Sequence, residues 1–293
     1  MTSVRENLES RLRKIAYLPT MPQVLFKVEE ALREEKSAAT RIGAIVSQDP
    51  ALTASVLRVA NSIVYRGRTS TRISSVPQAV GRLGFNEVKR ICMSSALIRA
   101  FEGFGKGIDH VEFWRHCVTV GLATRIFLQH SRDLALQAAD AADDAFTAGL
   151  LHDVGMLVMD QFFPEQFAQV RAQAESSGAP LAAAETKVLG IQHGEIGGIL
   201  LETWRLPARV VDAISWHHDP DRAAPAHRTV AQMVHLADFM CVNQSIGDTL
   251  EGFYDDFSSG AWHDLGLSAD QVPQMLEDLK EESERSDVLG GAF

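Results

Sequence analysis

Apolar residues recur at helical spacing along almost the whole chain, and no run alternates apolar and polar with the two-residue period of a strand. Residues 22–34, "PQVLFKVEEALRE", place Val24, Leu25, Val28 and Leu32 on one face. In "SQDPALTASVLRVANS", Asp49 stands as an N-cap and Pro50 at the first helical position, where a missing N–H costs nothing. "SSVPQAVGRLG" reads as a short helix closing at Gly84, with Asn86 capping "EVKRICMSSALIRAF". Further helices are predicted over 111–131, 144–162, 164–177, 181–203, 207–218 and 227–246, with a charged, solvated helix in the tail. The fold class is all-α.

The glycine-rich break "EGFGKGIDH" lacks the spacing of a phosphate loop and follows a helix, so it reads as a hinge between helical subdomains. The expected organisation is an N-terminal helical subdomain over 1–104, a second over 105–246, and a helical, acidic tail over 247–293. "LALQAADAADDA" reads as a surface connection. A net charge of −10 argues against nucleic acid and anionic membrane surfaces as partners, because both need clustered Lys and Arg. Cys92, Cys117 and Cys241 sit in apolar helical contexts without C-x-x-C spacing, which predicts reduced, buried thiols. No signal peptide or membrane span is recognisable, so a cytoplasmic location is expected.

Against this apolar background, "FTAGLLHDVGMLVMD" presents His152 and Asp153 side by side. An unpaired buried carboxylate costs several kcal/mol, so the pair is a hydrogen-bonded structural unit, a catalytic dyad or a set of metal ligands. Other polar residues interrupt apolar faces in the same way. His116 shares a face with Val120, Ala123 and Phe127; His193 opens "HGEIGGILLETW", where Gly197 and Gly198 allow close helix approach. His217 and His218 end a helix begun at Pro207, and Asp238 shares a face with Ala231, Val234 and Cys241. Taken singly, each has an ordinary explanation: a core histidine, a pair of C-terminal histidines favoured by the helix dipole, a cap. Together, imidazole and carboxylate suit first-row divalent metals. Adjacent helical residues diverge by about 100°, so His152 and Asp153 serve one ion only at a helix end, or two ions with the carboxylate bridging. Seven ligands are too many for one tetrahedral ion and about right for two, and cations would offset the burial of Asp153. Iron, manganese, zinc and nickel all fit.

These residues resemble the HD superfamily, named for its His–Asp pair, and specifically its HDOD branch of bacterial signalling proteins. The resemblance runs from about Leu18 to about Val242. It rests on "LPTMPQVLFKVEEAL", "IVSQDPALTASVLRVANS" and "ISSVPQAVGRLGFNEVKRI", then on "FWRHCVTVGLATRIF", "AFTAGLLHDVGML", "ETKVLGIQHGEIGGILLETWRLP", "VVDAISWHH" and "VHLADFM". It implies an N-terminal helical subdomain with a five-helix HD core. The related HD-GYP enzymes hydrolyse cyclic di-GMP at two or three metals, and their ligand pattern carries over to His116, His152, Asp153, His193, His217, His218 and Asp238. Two features depart from the enzymes: Met156 stands where they carry Lys, and "WHHDPDRAAPAHR" lacks the G-Y-P signature. The resemblance thus implies a regulatory protein that binds a signalling protein or a nucleotide and retains a dinuclear metal centre. The alternative it implies is a metal-dependent phosphohydrolase or phosphodiesterase with Asp153 bridging two ions. Arg66, Arg68 and Arg72 in "YRGRTSTR" are then candidate phosphate contacts, although an ordinary exposed loop is the better reading. A helical scaffold with a decayed site ranks last, because every ligand position is kept.

Overall fold

The computed structural model describes residues 4–14, 22, 38–66, 72–131, 139–246 and 257–290, and among these there are helices and no strand. In chain order the first helices are α1 (Val4–Leu12), α2 (Ala38–Val46), α3 (Pro50–Ala60), α4 (Ile63–Arg66), α5 (Val76–Leu83) and α6 (Phe85–Ala100). Then come α7 (His110–His130), α8 (Ala139–Leu151), α9 (Val154–Phe162), α10 (Pro164–Ser177) and α11 (Leu181–Leu189). The last are α12 (His193–Thr203), α13 (Ala208–Ser215), α14 (Arg228–Asn243), α15 (Ser259–Asp264) and α16 (Val272–Gly290). The helix predicted over 22–34 lies outside the described residues apart from Pro22, as do residues 134–138 of the expected surface connection, whose remaining residues instead form the start of α8. None of the described helices is long and apolar enough to cross a membrane. Cys92, Cys117 and Cys241 are buried free thiols. Burial pushes Cys92 up to about 12 and Cys241 well above the usual thiol range, so both remain protonated at neutral pH.

The chain forms two compact units. One comprises residues 19–102 and 284–293, the other residues 1–18 and 103–283. In the first, α3 packs against α5 and α6, burying Leu52, Val56 and Val59. Asp49 caps α3 by accepting from the backbone N–H groups of Ala51 (2.9 Å) and Leu52 (3.1 Å), and Pro50 follows at the first position. The same carboxylate pairs with Arg99 at 3.0 Å. The junction of α5 and α6 corrects the sequence reading: Gly84, at φ +80°, both ends α5 and caps α6, so Asn86 lies inside the helix.

In the larger unit α7 is the central rod, buried along most of its length from Phe113 to Leu128. Asp109 starts it by accepting from Val111 and Glu112 N–H. It packs against α8 and α14, and α14 packs in turn against α8 and α13. The crossing of α7 and α8 is set by a glycine pair: a Cβ on Gly149 would stand 2.8 Å from Gly121 Cα. Two predicted helices are each broken in two. The stretch 144–162 divides into α8 and α9, with His152 and Asp153 at the break. Gly155 lies against the His193 carbonyl oxygen so closely that any Cβ there would overlap it, which allows the start of α9 to meet the start of α12. The stretch 181–203 divides at Gly190, which is left-handed at φ +71°, and α12 restarts on a Gln192–Glu195 capping box. Helix α13 stops at Ser215, short of the predicted 218, leaving His217 and His218 in the turn beyond it. Arg5 of α1 reaches Glu195 at 2.6 Å and anchors α1 on the start of α12.

Two outcomes follow. Gly149→Ala forces α7 and α8 apart and lowers stability by about 1–3 kcal/mol, read as a lower urea midpoint with unchanged slope. Asp49→Ala removes a cap and costs about 1 kcal/mol at neutral pH. The Arg99 hydrogen bond, together with the α3 backbone N–H groups, holds the Asp49 carboxyl below its ordinary value. A depressed folded-state value means its stabilisation is present above the unfolded carboxylate range and is lost as pH falls through the folded value. The gap between wild type and Asp49→Ala in urea titrations therefore closes below about pH 4.

Candidate metal centre

The seven predicted residues converge in the larger unit. His116 comes from α7, His152 and Asp153 from the α8–α9 break, and His193 from the first position of α12. His217 and His218 come from the turn after α13, and Asp238 from the middle of α14. Six are buried with at most 2% of their surface exposed, and only His218 reaches solvent. The break at 152–153 resolves the problem of two adjacent ligands, because the chain leaves the helical path where both must point inward.

Four of the five rings are aimed by their outer nitrogens. His152 Nδ1 lies 2.7 Å from the Gly149 carbonyl and His217 Nδ1 2.7 Å from the Ile214 carbonyl. His193 Nδ1 lies 2.9 Å from Glu185 Oε2, and His116 Nδ1 3.3 Å from the Ile246 carbonyl. Carbonyls and carboxylates only accept, so Nδ1 carries the hydrogen and the Nε2 of each neutral ring is a bare lone pair turned inward.

Those lone pairs meet in two groups around Asp153, with His152, His217 and Asp238 forming a third close set that links them. On one side His116 Nε2 stands 3.3 Å from His152 Nε2 and 3.1 Å from Asp238 Oδ1. Asp153 Oδ2 is 3.2 Å from His152 Nε2 and 3.7 Å from His116 Nε2. On the other side His193 Nε2 stands 3.3 Å from His217 Nε2, 3.0 Å from His218 Nε2 and 3.1 Å from Asp153 Oδ1. Facing lone pairs at such distances repel unless a proton or a metal cation lies between them. Donors about 2.1 Å from one ion are separated by ~3.0–3.5 Å at right-angled to tetrahedral geometry, close to the 3.0–3.8 Å seen within the two groups.

The electrostatics agree. Asp153 Oδ1 and both carboxylate oxygens of Asp238 are buried without a hydrogen-bond partner, although His Nε2 atoms lie close by. Burial opposes ionisation of Asp153 and Asp238, yet the surrounding histidines hold both carboxyls well below the usual range. Burial likewise opposes charge on His152 and His193. The Asp153 and Asp238 carboxylates overcome it for His152, and Glu185 and Asp153 for His193, so both sit well above the ordinary value. His217 is pushed down to about 3 by burial beside His152 and His193, and His218 is lowered well below its ordinary value by burial beside His217 and His193. Two ionised carboxylates and two firmly neutral imidazoles thus face one interior at neutral pH. This cluster can hold divalent metal.

Several supporting residues were not singled out from the sequence. Glu185, fully buried on α11, accepts from both the backbone N–H (2.8 Å) and the ring of His193. A carboxylate in the apolar helix "LAAAETKVL", eight residues before a histidine, was the available signal. His235 Nδ1 donates to the His217 carbonyl at 2.7 Å and steadies the turn. Trp216 and Arg222 stack across that turn at 3.7 Å, and His227 pairs with Asp212 at 2.6 Å. Met156 is buried. Arg72 is exposed, while Arg68 and the side chain of Arg66 lie outside the described residues. A cavity of about 390 Å³ in this unit is apolar and includes none of the seven residues in its lining, which is formed by Phe127, Leu236, Phe239, Met240 and Trp262 among others.

Comparison with known proteins follows the same lines. An uncharacterized protein of Treponema pallidum (strain Nichols) is 26% identical over 222 residues, 74% of this chain. The match covers 42% of that protein, so the chain spans less than half the length of this relative. An HDOD domain protein of unknown function from Geobacter sulfurreducens superposes with a TM-score of 0.79 at 23% identity, over 96% of this chain and 98% of the other. A proposed signal transduction protein from Marinobacter aquaeolei VT8 superposes at 0.74 with 26% identity, over 97% of this chain and 61% of the other. The HDOD domain family model matches residues 18–220, which takes in six of the seven clustered residues and leaves Asp238 beyond its end. The chain belongs to the HDOD family.

Proposed function

We propose that this HDOD protein is a signal-transduction regulator whose larger unit carries two divalent transition-metal ions. One observation carries the reading: the two oxygens of the buried Asp153 turn to two separate groups of histidine nitrogens. His116, His152, Asp153 and Asp238 would hold one ion; Asp153, His193, His217 and His218 the other. Iron, manganese, zinc and nickel all suit imidazole with carboxylate. The structural likeness to a proposed signal transduction protein supports a regulatory role. The larger unit would then act on a partner protein or a nucleotide in the cytoplasm.

A second reading, phosphoester hydrolysis, rests on the same donor set, since paired ions supply Lewis acidity for phosphoryl transfer. The protein's own residues favour regulation. Met156 is buried and carries no charge or donor for a phosphate. The turn after His218 is closed on itself by Trp216–Arg222 and His227–Asp212, and only His218 meets solvent.

The test is elemental analysis of protein purified without chelator or affinity tag, beside His152→Ala and Asp153→Ala. The expected result is about two equivalents of transition metal in the wild type and a marked loss in both variants. Metal-free wild type with both variants folded would overturn the dinuclear reading and leave His152 and Asp153 as a structural pair. On the metal-loaded protein, cyclic di-GMP and phosphomonoesters are expected to remain intact; turnover that Asp153→Ala abolishes would establish the hydrolase reading instead.

A further inference from the structure

The two groups of donors differ in charge. The side of His116 and His152 has a whole carboxylate of its own in Asp238, plus one oxygen of Asp153. The side of His193, His217 and His218 has three imidazoles and only the other oxygen of Asp153. Behind that second side stands Glu185, which accepts the His193 ring N–H at 2.9–3.0 Å and the His193 backbone N–H at 2.8 Å. It is fully buried, and among the described residues it forms no ion pair with Lys or Arg. Its ion-pair partner is the His193 ring, so its buried charge is compensated through that ring.

We infer that Glu185 is the positioning residue of the nitrogen-rich ion position: through the His193 ring it supplies the negative charge that Asp238 supplies directly on the other side. An anion hydrogen-bonded to Nδ1–H fixes the ring's tautomer and orientation and makes Nε2 a stronger donor. The inference rests on the dinuclear reading above. The competing explanation is that Glu185 only anchors the start of α12 through the backbone N–H. Glu195 provides the comparison, because it also serves that helix start, accepting from Gln192 N–H and Arg5, and it is not hydrogen-bonded to the His193 ring.

The experiment is a titration of the full chain, stripped of metal, with Co²⁺ in the presence of a competing chelator, followed by the visible absorption of the bound ion. Wild type, Glu185→Gln, Glu185→Asp and Glu195→Gln are compared, each with a thermal melt in the metal-free state. The expected wild-type result is two binding steps. Glu185→Gln should weaken one step by about 10–100-fold and leave the other in place. Glu185→Asp, which keeps the charge on a shorter stem, should weaken the same step, and by less; it carries the test alone if Glu185→Gln does not fold. Glu195→Gln should lower the melt and change neither step. Two unchanged steps in the Glu185 variants would overturn the inference and leave the dinuclear reading standing. Equal weakening of both steps, matched by Glu195→Gln, would reduce Glu185 to a helix anchor. A wild type that binds no Co²⁺ would remove the dinuclear reading and this inference together.

Discussion

The buried carboxylate of Asp153 is the constraint from which the architecture of the larger unit can be read. The apolar segment around it offers only His152, so the fold must bring further partners from other elements. It does so with α7, α12, the turn after α13, and α14, which contribute five residues separated by up to 122 positions in sequence. Those elements pack on one another around the point where their polar groups meet. The glycines permit this: Gly121 and Gly149 let α7 and α8 cross closely, and Gly155 lets α9 begin against the start of α12. The core and the cluster are one construction, because the side chains that fill α7 and α14 also fix the direction of His116 and Asp238.

Imidazole orientation is the second layer. Four inward-facing Nε2 atoms exist because four Nδ1–H groups are spent on the Gly149, Ile214 and Ile246 carbonyls and on Glu185. For His152 and His217 the acceptor is the carbonyl three residues earlier, one that a helix end leaves without an intrahelical partner. Each histidine therefore satisfies an orphaned carbonyl at a helix end while presenting its other nitrogen inward. This is why the two helix ends, at Leu151 and Ser215, fall just before these ligands. Had the helices run on as the apolar pattern suggested, those carbonyls would bond along the helix and the rings would point elsewhere.

The sequence made the all-α class and the identity of all seven clustered residues legible, because polar groups on apolar faces are conspicuous and the HDOD-like motifs order them. The breaks at 152–153 and at Gly190 were not legible, since apolar spacing continues through both. What interrupts those helices is tertiary: the approach of α9 to α12 and the capping box at Gln192. Glu185 escaped notice for the opposite reason. One acidic residue on a short helix looks solvated until its burial and its partner, eight residues away, are known. Asn86 shows a local error of the same kind, a cap-forming residue placed inside a helix because the glycine before it could end one helix and begin the next.

The proposed separation of ion binding from turnover rests on where the cluster meets solvent. Holding an ion requires inward donors and compensated charge, both supplied by residues with almost no exposure. Acting on a phosphoester requires in addition an approach path and a group that receives the phosphate. Among the seven clustered residues only His218 is partly exposed, and the turn beyond it is tied back by Trp216 on Arg222 and by Asp212 on His227. The position that could offer a cation holds Met156, packed into the core. A metal centre of the proposed kind would stabilise the meeting of α7, α9, α12 and α14 and make that arrangement depend on ion occupancy. An ion bound where several helices converge contributes folding free energy, which is what the proposed regulatory role requires.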